Sequence, residues 1–198
     1  MNLGSVCVFC GSQPGARPDY VETAHALVDA LARRGTTIVY GGGHVGIMGA
    51  LADAALARGA HIVGVIPQHL MRPEVAHRGL SELRVVETMH ERKRVMAERS
   101  DAFVVLPGGY GTLEEMFEMI TWLQLQLQAK PVGVLNVAGY FDHLQEFLRH
   151  AAQEGFIRPE HWDLLIVEHS AELLLDRLAL HADTMCRRHP PQVDVERS

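Results

Sequence analysis

The chain reads as an α/β fold, a single domain built on one doubly wound parallel sheet, and three observations carry that reading. Short, continuously apolar runs recur along the chain, the pattern of strands buried on both faces. Stretches with apolar residues at helical spacing lie between them. Three of the runs end in glycine-rich turns, at Gly11, Gly41 and Gly108, which a parallel sheet gathers at the carboxyl ends of its strands, where ligands bind. The 198 residues, 47% of them hydrophobic, suit one domain over residues 1–186 with a sizeable core, followed by a tail, 187–198, that carries Pro190 and Pro191.

Ser5 to Cys10 is the first strand, and Gly11-Ser12-Gln13-Pro14-Gly15 follows as a turn whose backbone or Ser12 is free to meet a ligand. Pro18 to Arg34 carries a helical stripe, Val21, Ala24, Leu27, Val28 and Leu31, stopped by Gly35. Thr36 to Tyr40 is the second strand. Gly41-Gly42-Gly43-His44-Val45-Gly46 comes next, and a small-residue helix then runs from Ile47 to Ala57. The glycine spacing formally matches the dinucleotide fingerprint. The third strand, His61 to Ile66, ends however in Pro67-Gln68-His69 rather than in the acid a ribose requires, which argues against NAD.

Leu70 to Glu87, broken by Pro73 and Gly79, predicts a loop with a short helix and then a short strand at Leu83 to Val86; Glu74 stands in it as an unexplained acid. Met89 to Ser100 predicts a basic helix with Arg92, Met96 and Arg99 on one face, either a solvated helix or a source of cations for a bound anion. Val132 to Leu135 and Leu164 to Val167 are the last strands. Phe141 to Glu154 is a helix with Leu144, Phe147, Leu148 and Ala151 inward, and Ser170 caps a final helix from Ala171 to about Met185.

The strand Phe103 to Leu106 leads into Pro107-Gly108-Gly109-Tyr110-Gly111-Thr112-Leu113-Glu114-Glu115, and the chain is organised around this stretch. A glycine turn from strand into helix offers unpaired N–H groups to an anion and lets the ligand approach bare backbone. Thr112 and Glu115 fit a capping box. Two adjacent carboxylates beside an anion cradle are odd for that role alone, and a ligand with both a phosphate and sugar hydroxyls accounts for both features. The helix Leu113 to Leu127 has a core stripe of Leu113, Met116, Phe117, Ile120 and Leu127, and a second apolar side of Met119, Trp122 and Leu123, which suits packing against a partner subunit or an extra covering helix.

Composition narrows the function. A net charge of −6 argues against a general nucleic-acid binder. No apolar run approaches the ~18 residues of a membrane span, and the N-terminus lacks the basic region of a signal peptide, so the expected place is the cytoplasm. Cys7 and Cys10 form a Cys-x-x-Cys, but within a strand they point to opposite faces, and no second pair completes a metal site. The 12 histidines are scattered, so neither a metal nor a cofactor is expected.

In order and spacing, Tyr40-Gly41-Gly42-Gly43, Gly46-Ile47-Met48-Gly49, Val65-Ile66-Pro67, Met89-His90-Glu91-Arg92-Lys93, Pro107 to Glu115, Lys130-Pro131-Val132-Gly133 and Glu154-Gly155-Phe156-Ile157 resemble the LOG (LONELY GUY) family. The family comprises cytokinin riboside 5′-monophosphate phosphoribohydrolases, often labelled lysine decarboxylases. The resemblance implies a Rossmann-like fold and cofactor-free hydrolysis of the N-glycosidic bond of adenosine 5′-monophosphate, N6-modified or plain. It implies catalytic roles for Arg92 and Glu115, and substrate contacts at Glu74, Lys93, Gly108, Gly109, Tyr110, Gly111, Thr112, Leu113, Glu114 and Thr121; Gly42 and Gly43 join that set as part of the second glycine loop. It also implies a homodimer or larger homo-oligomer. A pyridoxal-phosphate decarboxylase needs a Schiff-base lysine, and the chain offers only Lys93 and Lys130. The rival from another class is a carrier of related fold, binding a nucleotide or the molybdenum cofactor without turnover.

Overall fold

The computed structural model describes residues 3–72 and 76–188. Seven strands form one sheet: β1 (Ser5–Phe9), β2 (Thr37–Tyr40), β3 (Ile62–Pro67), β4 (Glu82–Val86), β5 (Ala102–Val105), β6 (Val132–Leu135) and β7 (Leu165–Glu168). All six pairings are parallel, in the order β4-β3-β2-β1-β5-β6-β7. The chain walks outward from β1 to β4, then returns to β1's other side and walks outward again. The order therefore reverses between β1 and β5, and a crevice opens there at the carboxyl edge.

The alternation of side chains along β1 divides the core. Val6, Val8 and Cys10 enter one apolar layer, and Cys7 and Phe9 enter the other. The first layer is covered by α1 (Pro18–Arg33), α2 (Gly46–Ala57) and α6 (Ala171–Arg188); the second by α3 (Met89–Glu98), α4 (Tyr110–Gln124) and, in part, α5 (Asp142–Gln153). Cys7 and Cys10 are free, buried thiols on opposite faces, as their spacing predicts.

Three expectations need correction. First, α4 starts at Tyr110, with Gly109 as a cap that has no side-chain bond, so Thr112 is not the N-cap. Thr112 sits inside the first turn, and a Cβ on Gly108 would lie 2.1 Å from its Oγ1. Second, the buried face of α4 draws on both expected apolar sides. Met116 of the core stripe is buried as expected, but Met119 and Leu123 of the second side are buried with it, Phe117, Ile120 and Trp122 only partly so, and Leu127 lies exposed beyond the helix. Third, α5 buries none of its residues fully, and Phe147 is 64% exposed. Smaller shifts accompany these. A 3-10 turn at Gln68–Leu70 replaces the short helix expected after Leu70, and α6 runs to Arg188. Glu74, and residues 189–198 of the expected tail, lie outside the described residues.

Candidate active site

Beyond the β1–β5 switch point, a cavity of ≈ 260 Å³ is lined by Val8 to Ser12, Gly41, Met48, Met89, Arg92, Gly109 to Thr112, Glu114 and Glu115. A second lobe of ≈ 260 Å³, bounded by Gln13, Tyr20, Pro107, Gly108 and Tyr140, meets the first at Gly11, Ser12 and Gly109. Each lobe alone falls below the ~300 Å³ at which ligand pockets usually begin. A ligand larger than either lobe would have to span both.

The helix N-terminus offers unpaired donors to the cavity. The first intrahelical bond of α4 runs from the Leu113 N–H to the Gly109 carbonyl, which leaves the amides of Tyr110, Gly111 and Thr112 without intrahelical partners. All three residues line the cavity. The Tyr140 hydroxyl donates to the Gly108 carbonyl at 2.6 Å, fixing the turn from behind. The Tyr110 ring stands fully in solvent at the rim.

Facing these amides is a buried pair. Arg92 projects from α3, whose N-terminus is capped by Thr88 accepting from the Glu91 amide. Its guanidinium donates to the carbonyls of Val65 (3.1 Å) and Gly41 (3.3 Å) and lies 3.5 Å from Glu115 Oε1. Both side chains are about nine-tenths buried. Burial pushes the Glu115 carboxyl above the ordinary carboxylate range; Arg92 pulls it down, Glu114 raises it, Lys93 lowers it and Glu118 raises it. A 3.5 Å contact is too long for a strong hydrogen bond, so both groups keep hydrogen-bonding capacity for a substrate atom or a water beside them. Raised and partly shielded, Glu115 suits proton exchange.

Of the residues implied by the resemblance, the structure brings Arg92, Glu115, Glu114, Gly109, Tyr110, Gly111 and Thr112 to the first lobe and Gly108 to the second. Lys93 lies behind the wall, its ammonium against Glu114 and Glu118. Leu113 packs against the core. Gly42 and Gly43 stay under the β2 turn, where the Gly42 carbonyl accepts from the His77 amide and the Gly43 carbonyl from the Tyr40 hydroxyl. Thr121 donates to the Phe117 carbonyl and faces a different, larger groove of ≈ 450 Å³ between α4, α5 and β7. We place the site in the smaller cavity because the Arg92–Glu115 pair and the open helix N-terminus converge only there. Sequence reasoning missed Tyr140, an aromatic in the turn before Phe141 with no pattern to mark it. It also missed the part of Gly41, whose carbonyl anchors Arg92.

Both lysines are engaged. Lys130 Nζ donates to the Ala97 carbonyl at 2.6 Å, near the start of β6 and so at the amino edge of the sheet. Neither lines the cavity, which removes the Schiff-base lysine of a decarboxylase from this site.

A family model described as "Possible lysine decarboxylase" matches residues 48–178. A probable cytokinin riboside 5′-monophosphate phosphoribohydrolase of Oryza sativa subsp. japonica is 51% identical over 173 residues, 87% of this chain and 76% of that protein. A cytokinin riboside 5′-monophosphate phosphoribohydrolase of Arabidopsis thaliana is 46% identical over 173 residues, 87% of this chain and 81% of that one. Among solved structures, a molybdenum cofactor binding protein from Rippkaea orientalis superimposes with a TM-score of 0.68 over 91% of this chain and 98% of its own, at 19% identity. That likeness concerns the fold alone. A family match over more than half of the chain, and relatives this similar over most of it, place the chain in the LOG family.

Proposed function

We propose that this protein hydrolyses the N-glycosidic bond of adenosine 5′-monophosphates, with or without an N6 substituent, giving the free base and ribose 5-phosphate. The observation that carries the reading is the buried Arg92–Glu115 pair set opposite the unpaired amides of α4. The 5′-phosphate binds at those amides without needing a metal. As the C1′–N9 bond breaks, its electrons move to N9 and C1′ becomes cationic; a carboxylate beside the ribose stabilises that charge. Glu115 takes a proton from the attacking water, whose oxygen bonds to C1′. The departing base ends protonated on nitrogen by the proton that Glu115 took from water, which returns Glu115 to its ionised form, with Arg92 hydrogen-bonded to the base as it leaves. A carrier that releases its ligand unchanged needs no such pair.

A second copy of the chain is the partner this reading adds. Phe147 and, beyond α5, Phe156 are 64% and 87% exposed, and Phe117, Ile120, Leu148 and Trp162 line the adjoining groove. Burying two phenylalanines is worth roughly 1.5–3 kcal/mol each. Sedimentation of the wild type and of Phe147→Asp should show a dimer converted to monomer. No helix among the described residues is long and apolar enough to cross a membrane.

The test is to incubate purified protein with AMP and with N6-isopentenyl AMP and separate the products by liquid chromatography. Free base with ribose 5-phosphate is the expected result. Unchanged nucleotide recovered from folded protein that binds it would overturn hydrolysis in favour of a carrier.

A further inference from the structure

Beside the Arg92–Glu115 pair, each helix carries further charge that the proposed reaction does not use. On α3, the next residue is Lys93, a lysine only 6% exposed. Its ammonium lies against Glu114 Oε1 and 2.9 Å from Glu118 Oε2. Glu118 Oε2 is buried and accepts no well-formed hydrogen bond, so what holds it there is the charge of Lys93. Glu114 lines the cavity while Lys93 does not. Lys93 therefore grips Glu114 from the side away from the ligand.

We propose that Lys93 and Glu118 form a positioning pair: Glu118 clamps the Lys93 ammonium, and Lys93 holds Glu114 at the cavity wall and balances the charge beside Glu115. A lysine side chain has a flexible four-carbon stem, and a single carboxylate at the rim would leave it free to swing. The second carboxylate, one helical turn further along α4, fixes it. The arrangement also accounts for an otherwise unfavourable count, three carboxylates (Glu114, Glu115, Glu118) against two cations (Arg92, Lys93). Without the third carboxylate, both cations would pull on Glu115, and it would give up its proton too readily to take one back. The inference rests on the reading of Glu115 as the reacting carboxylate.

The groups that face Glu115 are Arg92 and Lys93 from α3, Glu114 and Glu118 from α4, and Cys7 and Cys10 from β1 and its end, the two thiols kept protonated by burial. The test uses Glu118→Gln, Lys93→Met and the double variant, read in two ways. One is the ¹³C carboxyl titration of Glu115 in nucleotide-free protein, assigned with Glu115→Gln; the other is the pH profile of kcat and KM on AMP. Removing a like charge should move the Glu115 titration to lower pH in Glu118→Gln. Removing a cation should move it to higher pH in Lys93→Met. The double variant should return towards the wild type. The acid limb of kcat should follow the same directions.

Loss of thermal stability with an unmoved Glu115 titration would overturn the proposal and leave the pair a plain structural contact. A KM raised more than about tenfold in Lys93→Met, with the titration unmoved, would overturn it differently, by making Lys93 a direct substrate contact. If the wild type shows no turnover, the hydrolase reading fails, yet the titration still decides whether the pair governs Glu115.

Discussion

Two glycine-rich loops leave the same sheet edge and lead into helices, and they use their glycines in opposite ways. In the loop after β2 the glycine positions leave no space for side chains. A Cβ on Gly46 would stand 2.4 Å from the backbone of Ser12 and Gln13, at a φ of +62°, and one on Gly41 would stand 2.0 Å from Arg92 Nη2. In the loop after β5, Gly109 and Gly111 have nothing within 4 Å of the position a Cβ would take, and both line the cavity. The first loop uses glycine to let protein approach protein, and so delivers Arg92. The second uses Gly109 and Gly111 to leave room for a ligand, and packs its Gly108 against Thr112 and Gly11. The dinucleotide-like spacing of the first loop thus reflects packing, and the proposed anion site belongs to the second.

The two loops meet at the Arg92–Glu115 pair, and removing either member should have the largest effect. Glu115→Gln keeps the shape and removes the proton acceptor; kcat on AMP should fall by roughly 10²- to 10⁴-fold with the circular dichroism spectrum unchanged. A fall of less than tenfold would return Glu115 to the bland role of a helix-turn acid. Gly41→Ala tests the delivery side. Its methyl meets the far end of a flexible arginine, so the fold should survive, but Arg92 has to move from the Gly41 carbonyl. Turnover should fall by at least about tenfold, the equivalent of one misplaced hydrogen bond at ~1.4 kcal/mol, with little change in melting temperature.

Much of this was legible in the sequence, for reasons that also mark its limit. The inner strands β1, β2, β3, β5 and β6 announce themselves because both faces are buried and nearly every residue is apolar, whereas β4, with Glu82 and Arg84, is partly exposed. The helix stops at Gly35 and Gly155 follow from backbone sterics. What could not be read was the meaning of a repeated local pattern. Thr88-x-x-Glu91 and Thr112-x-x-Glu115 look alike; in the first, Thr88 caps α3 and Glu91 reaches back to the Glu87 amide. In the second, the helix has already begun, and the same acid is turned inward to an arginine 23 residues earlier in the chain. Local spacing cannot report which glycine has free space beside it, because that depends on neighbours from β1 and α3. The apolar surplus of α4 was visible as a total but not as a direction, since which side faces the sheet is set by where the helix starts.

One substitution made in both loops sharpens the contrast. Gly46→Ala places a Cβ at positive φ against backbone that cannot move away, and should cost about 1–3 kcal/mol of stability. Gly111→Ala occupies open space in a first helical turn, and should gain up to ~1 kcal/mol from helix propensity. Its methyl, however, stands where the phosphate would, and KM for AMP should rise about tenfold, one charge-assisted hydrogen bond at ~1.4 kcal/mol. Chemical denaturation of the two variants, with Michaelis constants, checks both signs. Equal losses of stability would remove the distinction between the loops.

The smallest effect lies in how stability depends on pH. Burial holds the Glu115 carboxyl above its ordinary range. Between the ordinary value, about 4.3, and the raised one, the folded chain binds more protons at this site than the unfolded chain. The slope of unfolding free energy with pH is therefore negative across that window, and the ionised carboxylate costs stability above it. Glu115→Gln removes that cost while its amide oxygen can still accept from Arg92. The melting temperature of the variant, relative to the wild type, should rise as pH increases from about 4 to about 7. The opposite trend would mean that the attraction of Arg92 outweighs burial, making the pair an ordinary stabilising salt bridge rather than a strained carboxylate maintained for chemistry.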